Sequence, residues 1–177
     1  MTLTGWSGAA YGDQPSTGKC RLGYVIGLTP STLRGPCRII QWTSEFNRRM
    51  VKSSLGGESY AFSEIMDHMS TLCEFYRRFL DIRPRMVGFE DCESLFTHLK
   101  NKKVITEKFL IRHFLAIQQA PELKELDNAY WLLGLGNPAD GLTGKKRNIG
   151  PLPQLLESGL YNPGTLRPLR GVAFCEY

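Results

Sequence analysis

The sequence predicts a mixed α/β fold, and three observations carry that expectation. Three runs rich in β-branched and aromatic residues come first, one long amphipathic stripe follows, and shorter strand-like and helix-like segments then alternate. Three antiparallel strands in a row are the simplest arrangement of the opening segments.

A first strand is predicted around Leu3 to Ala10, closed by the turn-rich stretch Gly12 to Gly18. The apolar run Leu22 to Leu28 follows as the other arm of a hairpin with a long loop. Breakers from Thr29 to Pro36 separate it from a third strand, Cys37 to Thr43. Phe62, Ile65, Met69, Leu72, Tyr76 and Phe79 then recur at three- and four-residue steps, which is a helix of roughly seven turns. Ser53 or Ser54 is its candidate cap, and Pro84 marks the limit of its end.

Arg85 to Phe89 is a short fourth strand, followed by a helix from about Cys92 to Lys100 and another from Glu107 to Gln119. Leu126 to Leu133 supplies a fifth strand, and Asn137 caps a last helix opening at Pro138. The expected division is a domain over residues 1–148 and a tail over 149–177. The tail holds a short helix near Pro153 to Ser158 with Leu152, Leu155 and Leu156 on one face, and is expected to pack on the domain or on a partner.

With 177 residues and 42% hydrophobic content, the chain can bury one substantial core, which sets the single-domain expectation. The net charge of +5 points toward nucleic acid or another polyanion, although a basic surface of solvated charges satisfies it equally. Five cysteines with no Cys-x-x-Cys spacing argue against a zinc knuckle or redox pair and for free thiols in a reducing compartment. No apolar run is long enough to span a bilayer, and the first residues lack a signal peptide's basic and apolar regions. The expectation is a soluble, intracellular protein. His68, His98 and His113 have no metal-ligand spacing and receive no role.

Three carboxylates stand where helices begin: Glu58, Asp91 and Asp140. Glu58 continues the apolar stripe of the long helix instead of lying on its wet face, and a carboxylate aimed at a core is costly unless a positive group compensates it. Each also has a purely local explanation. Glu58 suits the positive end of a helix, Asp91 suits an N-cap, and Asp140 can reach back to an orphan amide. Their conjunction, at one edge of a mixed sheet, suggests instead a site for hard divalent cations.

The segments Lys52-Ser-Ser-Leu-Gly-Gly-Glu-Ser-Tyr-Ala-Phe62, Phe89-Glu-Asp-Cys-Glu-Ser-Leu-Phe96 and Asn137-Pro-Ala-Asp-Gly-Leu-Thr143 resemble the motifs of the ribonuclease H domain of copia-type retrotransposon polyproteins. Leu22 to Ile26, Ile40 to Ser44 and Thr106 to Lys108 match in support. The resemblance implies a ribonuclease H-like sheet of five strands and a two-metal site, with Mg²⁺ or Mn²⁺, that hydrolyses the RNA strand of an RNA–DNA hybrid. It places the helix ligand at Glu58, the strand-end ligand at Asp91 and the last-helix ligand at Asp140, all three both metal-binding and catalytic.

The family's first-strand aspartate does not carry over. Gly5-Trp-Ser-Gly8-Ala-Ala-Tyr11 puts Gly8 at its position, and Gly136 stands where the family often has a polar residue. The resemblance therefore implies a degenerate site, impaired in cleavage and binding Mg²⁺ weakly or not at all. Lys108, Arg112, Lys145, Lys146 and Arg147 are the candidate phosphate contacts, with Lys100, Lys102 and Lys103 nearby. The alternative expectation is a domesticated, non-catalytic structural or interaction subunit of a larger assembly.

Overall fold

A computed structural model describes residues 1–14, 19–48, 50–101, 108–132, 136–144 and 151–169. In chain order its elements are β1 (Thr2–Gln14), β2 (Lys19–Thr29), β3 (Gly35–Pro36), β4 (Arg38–Phe46), α1 (Ser54–Leu80), β5 (Arg85–Glu90) and α2 (Glu93–Asn101). They continue with α3 (Ile111–Gln119), β6 (Asn128–Leu132), α4 (Asp140–Thr143), α5 (Leu152–Ser158), β7 (Leu160–Tyr161) and β8 (Leu166–Pro168). Six strands form one sheet in the order β4-β2-β1-β5-β6-β8, and β3 pairs with β7 in a separate two-stranded ribbon. The β1–β2, β2–β4 and β6–β8 pairs are antiparallel, while β1–β5 and β5–β6 are parallel.

The strand period sorts β1 between two cores. Leu3 joins the cluster under the long helix with Phe62, Ile65 and Met69, while α2 adds Leu95 and Leu99 and α3 adds Phe114 and Ile117. Trp6 turns to the opposite face, where it meets Val25, Val87 and Phe89 together with Ala139 before α4, Leu155 of α5 and Tyr161. Its ring stacks 5.8 Å from Phe89 and meets the Tyr161 edge at 4.7 Å. The central strands β1 and β5, which pair in parallel, are thus covered on both faces.

Ser53 caps α1 by accepting the Gly56 amide at 3.1 Å, and Asp81 ends the helix in the left-handed region at φ 54°. The last helix opens later than expected. Asn137 Oδ1 accepts the Ala139 amide at 3.0 Å and the Asn137 carbonyl accepts that of Asp140 at 3.2 Å, so the Asn-Pro segment is a turn and α4 begins at Asp140. α3 likewise starts at Ile111 after a turn over 108–110, and residues 102–107 lie outside the described residues.

The tail supplies what the sequence patterns conceal. The Leu169 amide donates to the Ala129 carbonyl at 3.0 Å as β8 adds a sixth strand beside β6, and the Cys37 amide donates to the Gly159 carbonyl at 2.8 Å. Leu155 is buried, but Leu156 is 65% exposed, so the short helix presents Leu152 and Leu155 to the core and turns Leu156 to water.

Gly23 of β2 is where α4 rests on the sheet. A β-carbon there would lie 2.7 Å from Thr143 Cγ2, 2.9 Å from Leu142 Cβ and 3.1 Å from the Ala139 carbonyl, which includes backbone that cannot rotate away. Gly23→Ala is therefore expected to lift α4 and with it Asp140. The expected cost is roughly 1–3 kcal/mol, typical of overpacking, or about 2–4 °C in melting temperature for each kcal/mol. A thermal melt unchanged by the substitution would show that α4 does not seat on Gly23.

An acidic site at the ends of the central strands

β1 and β5 run parallel with Trp6 opposite Phe89, and the alternation beyond that pair divides the acidic groups between the two faces. On the α1 face, Ser7 Oγ donates to Glu90 Oε2 at 2.8 Å, and the other Glu90 oxygen accepts the amides of Asp91 and Cys92, each at 3.1 Å. Glu90 thereby satisfies the first amides ahead of α2, the capping task that the sequence suggested for Asp91. The Asp91 carboxylate is left to face Asn137, whose Nδ2 donates to Asp91 Oδ1 at 3.2 Å and to the Ser7 carbonyl at 2.7 Å.

Glu58 occupies the second turn of α1, 9% exposed, and accepts the Ala9 amide. Its Oε2 is buried without a hydrogen-bond partner. Burial raises the Glu58 carboxyl well above the ordinary carboxylate range, and the negative potentials of Cys92, Asp91 and Asp140 add to the effect. The same is true of Glu90, raised first by burial and then by Glu58 and Asp91. A buried carboxylate with an unfilled acceptor surrounded by like charges lacks a positive counterpart.

The three acids arrive from different directions. Glu58 descends from α1 on one face, Asp140 opens α4 on the other, and Asp91 stands between them at the end of β5. Electrostatics join Glu58 to both aspartates. Among the described residues, however, no three His, Cys, Asp or Glu side chains converge closely enough to hold an ion directly between them. Gly8 faces this space: a β-carbon on it would lie 3.7 Å from Asn137 Nδ2, the atom bonded to Asp91, and 3.6–3.7 Å from Thr143 and Ala139.

Such a donor set suits one Mg²⁺ that keeps most of its water and takes one or two carboxylates directly, since that ion dehydrates reluctantly. The sequence singles out Glu58, Asp91 and Asp140; it did not anticipate the inward Glu90 or the hydrogen bond from Asn137 to Asp91. The signal for Glu90 was in β5: Met86 faces the α1 core and side chains alternate, so Glu90, four residues on, had to point inward as well.

Of the basic candidates, Lys108 and Arg112 are exposed at the start of α3. That end of α3 lies against the first turns of α1, where Leu110 reaches Gly56 and His113 packs 4.3 Å from Tyr60. Lys145, Lys146 and Arg147 lie outside the described residues, as do Lys102 and Lys103.

Charge linkage at Glu58 gives a stability prediction. A carboxyl whose folded pKa is raised binds more protons folded than unfolded between the two pKa values, so stability falls as pH rises through that window, and the cost is complete above the folded pKa. Glu58→Gln removes the charge and is expected to raise the melting temperature at pH 8, with a smaller gain at pH 4. Each unit of displacement is about 1.4 kcal/mol, or roughly 2–4 °C per kcal/mol. Equal gains at both pH values would mean that the Glu58 charge costs the fold nothing.

No family model matches the sequence, and no curated protein matches it. Among solved structures, the chain is similar to LC11-RNase H1, isolated from compost by a metagenomic approach. The identity is 14%, the match covers 71% of this chain and 80% of that one, and the TM-score is 0.49. It is also similar to the RNase H1 of the halophilic archaeon Halobacterium salinarum NRC-1, at 12% identity over 73% of this chain and 82% of that one, with a TM-score of 0.49. No helix among the described residues is long and apolar enough to cross a membrane.

Proposed function

We propose that this chain is a ribonuclease H-like, nucleic-acid-binding domain of copia-type retroelement ancestry, holding a single divalent cation weakly and cleaving RNA–DNA hybrids far less efficiently than a four-carboxylate site. The observation that carries this reading is the buried, unpartnered Glu58 Oε2, placed in the field of Asp91 and Asp140 with glycine at the fourth position. The cation neutralises charge at the reacting phosphate when bound. Glu58, Asp91 and Asp140 hold it; Asn137 orients the Asp91 carboxylate, and Glu90 fixes the start of α2 so that Asp91 stays at the strand end. Lys108 and Arg112 meet phosphates along the flank of α1.

The second reading, a non-catalytic interaction subunit, draws support from Gly8 alone. Its lack of a side chain deprives the site of the group that bridges paired ions.

Calorimetric titration with Mg²⁺ and Mn²⁺ tests the proposal. Binding on the order of 10⁻³ M is expected, as for loosely organised hard-cation sites. Asp91→Asn should abolish it without loss of fold, because Glu90 and not the Asp91 side chain accepts the two amides that lead into α2. Absence of binding by the parent chain, or binding that survives Asp91→Asn, would remove the cation from this site.

A further inference from the structure

β8 closes one side of a groove that the domain without its tail would not possess. The groove has a volume of about 480 Å³ and runs between α2 and β8, within the size range of small-ligand sites. Its floor is Trp131, which stands opposite Arg167 in the β6–β8 register and whose Nε1–H donates to the Asp91 carbonyl at 3.1 Å. That bond fixes the indole plane beside the acidic site. Phe96 of α2 lies 5.9 Å from it at an interplanar angle of 31°, and the Arg167 guanidinium lies 5.2 Å from the indole centre.

We propose that this groove binds one nucleotide of a single-stranded nucleic acid, the base lying against Trp131 and Phe96 and the phosphate meeting Lys100 and Arg167. The chemistry is that of a stacking platform joined to a basic rim. Both cations are exposed, and among the described residues neither is committed to an ion pair. The Arg167 guanidinium already lies over the indole, from where its N–H groups can meet a phosphate. Asn101, at the end of α2, offers an amide to a base edge. The carboxylate of Glu93 also lines the groove and disfavours a phosphate at its own position, which leaves the Lys100 and Arg167 side for the backbone.

The inference rests on the proposed function for the identity of the polymer, but not on the cation. A short oligothymidylate is titrated into a Trp42→Phe variant in chelator, with fluorescence as the readout; this leaves Trp131 and the fully buried Trp6 as emitters. Saturable quenching is expected. Lys100→Ala combined with Arg167→Ala, both surface changes, should weaken it about tenfold or more, because two phosphate-neutralising cations are lost. The slope of log affinity against log salt should become shallower by about 0.7 for each cation removed. A folded double variant that binds like its parent, or no quenching at all, overturns the proposal. Quenching without Mg²⁺ binding would leave the groove standing and remove the cation site; Mg²⁺ binding without quenching would do the reverse.

Discussion

Gly8→Asp is expected to increase Mg²⁺-dependent cleavage of an RNA–DNA hybrid on the order of 10²–10³-fold, the size of effect that one well-placed electrostatic group exerts on a transition state. The backbone at Gly8 has no positive φ to forbid a side chain, and a β-carbon there makes contacts of 3.6–3.7 Å, which are ordinary packing distances. Its direction leads to the Asn137 amide that already holds Asp91, so the new carboxylate would stand beside Asp91 and within the field of Glu58. Without cation the added negative charge should lower the melting temperature; Mg²⁺ should restore it by binding the folded state. Combining Gly8→Asp with Asp91→Asn should return activity to background. A folded Gly8→Asp protein that binds Mg²⁺ more tightly and still does not cut would show that the glycine is not what limits catalysis.

Removal of residues 151–177 is expected to abolish the cooperative melt or lower it by more than about 10 °C, at roughly 2–4 °C per kcal/mol in a chain of this size. Leu155, Tyr161 and Leu169 are each at most 4% exposed. Such side chains contribute up to about 1.5–3 kcal/mol apiece by area, against a net stability of roughly 5–15 kcal/mol for a whole domain. The loss also uncovers Trp6, which has Tyr161 at its edge, and strips β6 of its outer neighbour. A truncated chain melting at the parent temperature would show that the remaining residues carry the fold alone.

The three-strand start, the long helix and the return strands were legible because each is long enough to display its period. Ser53 announced its local role because a short polar side chain before an apolar run has few other uses, whereas Asn137 closes a turn and the helix opens only at Asp140. The tail strands were not legible: β7 and β8 span two and three residues, too few for alternation to appear, and they exist because β3 and β6 offer open hydrogen-bonding edges. At the acidic edge, the sequence named Glu58, Asp91 and Asp140 but not which neighbouring group each would bond. Asp91 and Glu90 are adjacent acids at the end of one strand, and only the pleat decides that Glu90 goes inward to Ser7 and the helix amides while Asp91 stays available.

The two rims of the sheet differ in how they would meet another molecule of the same kind. β8 is three residues long, carries Arg167 and ends on Pro168, so it resists recruitment into a growing stack of strands. β4, at the opposite rim, is nine residues long, with Ile40 and Trp42 at 40% and 65% exposure. Aggregation under crowded or partly denaturing conditions should therefore start at β4, and a lysine in place of Ile40 would be the economical way to improve solubility during production.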